Sequence, residues 1–359
     1  MYKDFFAAGP YSLRQDEKEA LLTEELVSLT QRHRQGCPEY RNYLNALSVE
    51  PSRIHHLEDV PFFPVRLFKE MDLKSVADEE IMKVTTSSGT TGQSVSKLYI
   101  DRETAMLQQK VSVCQLTDFW GKKRLPFLIV DAEATVKNRK QYGARAAAIM
   151  GMQFFATKMV FALNEDMSLN EAVLSSFLEE YGNQKFIVFG FTFMVWQHLY
   201  KALLSREETI HMGNAILMTG GGWKKFEAEG VSRETFKTEL GRVCGIQHFL
   251  DHYGMAEQVG SMYCECECGH LHASVFSDII TRRYQDLSPC DIGEPGIIQV
   301  LSMVPRSYPG HALLTEDEGI IEGIDDCPCG RKGKYVKVLG RIKHAEIRGC
   351  SDTYATRFK

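Results

Sequence analysis

Two groups of residues have types and spacings that suit chemistry. The first is "TTSSGTTGQSVSK", Thr85 to Lys97, where hydroxyls and glycines crowd a stretch whose one larger apolar residue is Val95. Such residues let backbone N–H groups and hydroxyls approach a phosphate without bulk in the way, although the same composition also describes a solvent loop. The second group is sulfur and imidazole. Cys264, Cys266, Cys268, His270 and His272 alternate in "CECECGHLH", and Cys327 and Cys329 follow in "CPCG". Two pairs of soft ligands predict a closed, structural Zn²⁺ site. Its most economical set is Cys327, Cys329, His272 and one of Cys266 or Cys268, the alternative being free thiols on a hairpin.

The elements that would position these groups can be read from the pattern around them. Residues 1–80 read as a helical lead-in, with "RQDEKEALLTEELVSLTQRH" amphipathic and "DVPFFPVRLF" broken by proline. From 81 to 260, "RLPFLIVDA", "QKFIVFGF", "GNAILMTGGG" and "GIQHFLDHYG" alternate with helical patterns. Each resembles a buried strand that ends in small or polar residues, which predicts an α/β core with a mostly parallel sheet flanked by helices. Ligands of such sheets sit beyond the carboxyl ends of the strands, where "TSSGTTG", "TGGGWKK" and "HYGMAEQ" fall. Residues 261–345 read as a small β subdomain that carries the zinc site, and 346–359 as a short tail.

Composition narrows the function. The chain has 359 residues, 44% hydrophobic and 25% charged, with a net charge of −5. That balance offers no basic footprint for nucleic acid or an anionic membrane surface. The N-terminus lacks a signal-peptide layout, and no run approaches the ~18 apolar residues of a membrane span, so a cytoplasmic protein is expected. In a reducing compartment clustered cysteines are better read as metal ligands than as disulfides, and five of the ten fall in the two groups "CECECGHLH" and "CPCG".

Taken in order, "TSSGTTG" (Thr86 to Gly92), "TGGGW" (Thr219 to Trp223), "YGMAE" (Tyr253 to Glu257), "LTEDEG" (Leu314 to Gly319) and "GR" (Gly340, Arg341) resemble the successive motifs of the acyl-adenylate-forming superfamily. Within it the chain is most similar to the acyl-protein synthetases of bacterial luciferase operons, through "SSGTTGQSVSKLYID", "GGGWKKF", "HYGMAEQ", "YPGHALLTEDEG", "CGRKGKYVKVLGR" and "RGCSD". More distantly it resembles phenylacetate-CoA ligases, which share the paired cysteines of "CPCG". The resemblance implies the N-terminal domain of an adenylate-forming enzyme without its mobile C-terminal domain.

By that resemblance, Ser87, Ser88, Gly89, Thr90, Thr91 and Gly92 would close over the β- and γ-phosphates of ATP, with Lys97 a secondary candidate. Gly220, Gly221 and Gly222 would lie along the adenine, and Tyr253 would take its other face. Glu257 would bind Mg²⁺, and Asp317 the ribose diol, with Glu316 and Glu318 solvated. Arg341 would reach ribose or α-phosphate, though a lone "GR" is also an ordinary surface arginine. Cys350 matches the cysteine that holds the acyl group as a thioester, and Arg348 or Lys343 would favour its thiolate; an inert buried cysteine is the other reading.

The activity implied is attack of a carboxylate, of a fatty acid by the resemblance, on the α-phosphate of ATP, followed by transfer of the acyl group to a protein thiol that feeds an acyl reductase. An acyl- or aryl-CoA ligase and a non-catalytic nucleotide-binding partner of a reductase are the alternatives. "FIVFGFTFMVW" and "MQFFATKMVF" are apolar enough either to line an acyl tunnel or to be core.

Overall fold

A computed structural model describes residues 3–86, 95–137, 144–221, 230–258 and 260–342. The chain parts into two compact units, Met1–Asp118 with Gly254–Lys359, and Phe119–Tyr253. The N-terminal helices and the C-terminal β-rich stretch therefore share one unit, and the second is inserted between them in sequence.

In the first unit, α1 (Gln15–Gly36) starts where the Glu17 carboxylate accepts the Arg14 N–H at 3.1 Å, and α2 (Pro38–Ala46) follows with proline in its first turn. The buried positions of α1 recur every three or four residues, and Leu22, Leu26 and Leu29 pack into a core with Phe276, Leu301 and Val304. Truncating one of these leucines to alanine would cost about 2–5 kcal/mol. The same face also buries Lys18, Glu25 and His33. Lys18 Nζ sits 3.0 Å from Asp278 Oδ2, Lys334 Nζ 3.1 Å from Oδ1, and Gln15 Nε2 donates to Oδ2 at 2.7 Å. Burial pushes the Asp278 carboxyl up, but the Lys18 and Lys334 ammonium groups outweigh it and hold the carboxyl well below its usual range. Glu25 is paired with Arg306, both buried. β1 (Ile81–Thr86) and β2 (Lys97–Asp101) form an antiparallel pair, and α3 (Arg102–Trp120) follows, its first turn capped by the Asp101 carboxylate, which accepts the Thr104 N–H at 2.8 Å.

The second unit is built on β3 (Leu125–Ala132), β4 (Ala156–Leu163), β5 (Phe186–Phe191), β6 (Ala215–Gly220) and β7 (His248–Leu250), all parallel in the order β4-β3-β5-β6-β7. The central strands are buried nearly throughout, as continuous apolar runs require. Helix α4 (Ala144–Gly151) leads into β4. Helices α5 (Glu171–Tyr181) and α6 (Arg233–Cys244) begin at Asn170 and Ser232, whose side chains cap the N–H groups of Val173 and Thr235. Leu174, Phe177, Phe236 and Leu240 from α5 and α6 share a core with Phe186, Val188, Met194 and Trp196. "FIVFGFTFMVW" is thus core in large part. "MQFFATKMVF" supplies the edge strand β4, which sequence patterning does not mark as a strand.

The chain then returns to the first unit for β8 (Tyr263–Glu265), β9 (Leu271–His272), β10 (Ser277–Arg282), β11 (Pro295–Ser302), β12 (Ala312–Ile324) and β13 (Lys334–Arg341). They run antiparallel in the order β10-β11-β12-β13-β9-β8. Among the described residues no helix is long and apolar enough to cross a membrane.

Candidate functional site

In the second unit the carboxyl ends of the parallel strands collect polar groups, where ligands of such sheets bind. β6 ends in Thr219-Gly220, and Gly221 follows with φ +72°, a conformation suited to glycine. Thr192 Oγ1 donates to the Gly221 carbonyl at 2.8 Å. His252 and Tyr253, a short strand after β7, are half-buried, and His252 Nδ1 donates to the Thr219 carbonyl at 3.0 Å. At the end of β3, buried Asp131 accepts from Thr135 Oγ1 at 2.6 Å and pairs with Arg145 Nε at 2.9 Å. Sequence reasoning missed this cluster and His252, although "RLPFLIVDA" places Asp131 at a strand end.

In the first unit Glu257 lies in a short 3₁₀ turn, its side chain buried. Gln258 fixes this turn by donating to the Gly310 carbonyl at 2.9 Å, and a side chain on Gly310 would come within 2.8 Å of the Glu257 carbonyl. Burial, then the charge of Glu257, pushes the fully buried Tyr308 phenol up. Tyr308 Oη has no hydrogen-bond partner among the described residues. Asp317 on β12 is the register partner of Arg341 on β13, and the Arg341 Nε stands 3.9 Å from Asp317 Oδ1. The expectation that Glu316 and Glu318 are merely solvated is corrected: both are half-buried. Glu316 Oε2 lies 3.7 Å from Arg341 Nη2, and Glu318 accepts a hydrogen bond from Tyr284 Oη. Lys97 pairs with Asp72 at 3.2 Å, so its charge already has a partner.

The sulfur and imidazole groups converge. Cys266, His272, Cys327 and Cys329 have their ligand atoms within 4.8 Å of one another. Cys266 Sγ and Cys327 Sγ are 3.8 Å apart, and His272 Nε2 is 3.4 Å from Cys329 Sγ. Two thiolates at about 2.3 Å from one tetrahedral ion stand ~3.8 Å apart, whereas a disulfide would need about 2.05 Å. The donor set thus fits Zn²⁺ by distance and by softness. Cys268 does not join it. The Cys266 N–H bonds to the His270 carbonyl and the Gly269 N–H to the Cys266 carbonyl, so the chain reverses here and leaves Cys268 exposed. His270 Nδ1 lies 3.2 Å from Cys327 Sγ with its ring stacked on Tyr335. The Arg331 N–H donates to Cys329 Sγ at 3.4 Å. Burial pushes the Cys266 and Cys327 thiols up, which a bound cation would reverse, and His272 down to about 4, which keeps the imidazole in the neutral form a metal ligand needs.

Ser87, Ser88, Gly89, Thr90, Thr91, Gly92, Gly222, Lys343, Arg348 and Cys350 lie outside the described residues.

This fold is that of the adenylate-forming ligases. Its similarity to 2-hydroxyisobutyryl-CoA ligase in complex with 2-HIB-AMP and CoA has a TM-score of 0.71, at 18% identity over 93% of this chain and 70% of that one. An open conformation of that ligase gives 0.68, over 94% and 80%. The chain belongs to the acyl-protein synthetase family LuxE, whose profile matches residues 2–359. It is therefore a ligase of the acyl-protein synthetase kind, an enzyme that activates acyl groups. The long-chain-fatty-acid–luciferin-component ligase of Vibrio harveyi is 22% identical over 365 aligned residues, which cover 98% of this chain and 92% of the relative. That of Aliivibrio fischeri is also 22% identical, over 87% and 82%.

Proposed function

We propose that this enzyme activates a fatty acid with ATP to an acyl-adenylate and passes the acyl group to a protein thiol, feeding an acyl reductase in the cytoplasm. What carries the reading is the LuxE match across residues 2–359. In the first step a carboxylate oxygen bonds to the α-phosphorus and pyrophosphate leaves with the electrons of the broken P–O bond. In the second, a thiolate bonds to the acyl carbon and AMP leaves. Cys350 is the proposed acceptor.

Each residue's chemistry agrees with its proposed part. The hydroxyl-rich stretch from Ser87 to Gly92, which falls between β1 and β2 in sequence, would hold phosphates through N–H groups and hydroxyls. In the second unit Gly220, Gly221 and Gly222 would present bare backbone to the adenine, with Tyr253 as the aromatic surface. In the first unit Glu257 would supply a buried carboxylate for Mg²⁺, Asp317 an acceptor for the ribose diol, and Arg341 a cation, 73% exposed, for phosphate charge. Zn²⁺ on Cys266, His272, Cys327 and Cys329 would clamp the β8–β9 hairpin to the turn before β13, a structural role.

The test is acid-dependent exchange of labelled pyrophosphate into ATP over fatty acids of increasing length. Exchange with at least one fatty acid is expected, and its absence with every acid would refute the adenylation step.

A further inference from the structure

The two glycines at the end of β6 are glycine for different reasons. Gly221 needs its positive φ. Gly220 does not; there, an added Cβ would meet His252 Cε1 at 2.5 Å and Nε2 at 3.1 Å, so the imidazole fills the volume a side chain would take. The same ring is anchored in place. A carbonyl only accepts, so the 3.0 Å contact with the Thr219 carbonyl puts a hydrogen on Nδ1. The His252 backbone N–H is tied to Asp251 Oδ1 at 2.8 Å. On the far side Thr192 Oγ1 holds the Gly221 carbonyl, and a side chain on Gly221 would meet the Phe191 ring at 3.1 Å. The strand end is thus gripped by His252 and by the Phe191–Thr192 corner.

We infer that His252 is a positioning residue for the nucleotide: its ring and its Nδ1–H hold Thr219-Gly220-Gly221 in the one backbone path that keeps a bare face for a purine. This rests on the adenylate-forming reading, which gives the glycines their ligand. Nothing in the reacting groups needs His252, so its loss should weaken nucleotide binding and leave the handling of the acid alone. Its partner is a carbonyl, so the role belongs to Nδ1 and not to Nε2.

Five variants test this: His252→Asn, whose Nδ2 reproduces the Nδ1 position, His252→Gln, whose amide reaches only toward Nε2, His252→Ala, Gly220→Ala, and the double variant Gly220→Ala/His252→Ala. The measurements are MgATP affinity by direct titration, KM for ATP and for the acid in pyrophosphate exchange, and the thermal transition as a check on folding. His252→Gln should bind MgATP about tenfold more weakly with the KM of the acid unchanged, while His252→Asn stays within about twofold of the unmutated protein. Gly220→Ala should lose more than His252→Gln, and removing the imidazole as well should restore part of that loss, because the clash disappears. Unchanged MgATP affinity in folded His252→Gln, equal loss for acid and nucleotide, or strictly additive effects in the double variant would overturn the inference. An unmutated protein that binds MgATP but lacks exchange refutes adenylation and leaves the titrations to decide on His252. One that binds no adenine nucleotide overturns both.

Discussion

The rings of His33 and His311 stack 4.9 Å apart inside the first unit, both fully buried. His33 Nδ1 meets Ser75 Oγ and its Nε2 the Pro305 carbonyl, while His311 Nε2 meets Thr30 Oγ1 at 3.0 Å and Tyr40 Oη at 3.4 Å. The Arg306–Glu25 pair completes the surroundings. Burial, then the Arg306 charge, pushes His311 down to about 3, and burial, then His311, holds His33 well below its ordinary value.

A pH dependence follows from that pair. In the unfolded chain both imidazoles take up protons near about 6.5, while in the folded protein they stay neutral to lower pH. The unfolded state binds more protons in that window, so stability is full above about 6.5 and falls as pH drops, by about 1.4 kcal/mol per pH unit for each histidine. Urea unfolding between about pH 7.5 and 5 should show this slope, and folded His311→Gln should lose about one histidine's share of it. Equal slopes for the two proteins would show that His311 takes up its proton alike in the folded and unfolded chain, against the burial argument.

The metal set makes a discriminating prediction between two neighbouring cysteines. The purified protein should hold about one zinc per chain, lost in Cys266→Ser and Cys327→Ser with a fall in melting temperature and kept in Cys268→Ser. Elemental analysis that finds zinc retained in Cys327→Ser, or none taken up by the unmutated chain, would remove the site.

Glu257→Gln keeps the size of the side chain and removes its charge. Acid-dependent pyrophosphate exchange should fall by at least about a hundredfold while the unfolding transition persists. Exchange near the original rate would exclude this carboxylate as the magnesium ligand.

Cys350→Ser separates the two proposed half-reactions. Pyrophosphate exchange should survive, but acyl label released by hydroxylamine should no longer accumulate on the chain. Labelling that persists in the variant would move the acceptor to another thiol.

What could be read from the sequence, and what could not, divides along physical lines. β3, β5 and β6 were legible because strands buried on both faces are unbroken apolar runs. β4 was not, because this edge strand is only partly covered: Thr157 and Lys158 are exposed and Met159, Val160 and Phe161 half-buried, which interrupts the apolar run. The apolar stripe of α1 was legible, but Lys18, Glu25 and His33 read as solvent-facing charges, since Asp278, Arg306 and His311 that receive them are far along the chain. That the cysteine and histidine pairs converge could be read from spacing. The choice of Cys266 over Cys268 needed the turn at Gly269, and the grip of His252 on Gly220 needed coordinates altogether.

The discontinuity of the first unit bears on how the chain is made. The Gln15 N–H is bound by Asp325, 310 positions later, and α1 packs on strands from the same late region. At about 5–20 residues per second a ribosome needs roughly 15–60 s to cover that separation, during which the leucine face of α1 has no sheet to cover it. The inserted unit, Phe119–Tyr253, is contiguous and its parallel strands lie near one another in sequence, so we expect it to gain protease resistance first, on chains stalled soon after residue 253. α1 should become protected only on chains that extend past Arg341, and earlier protection would mean that the nascent helix finds temporary cover elsewhere, in a chaperone or in the inserted unit itself.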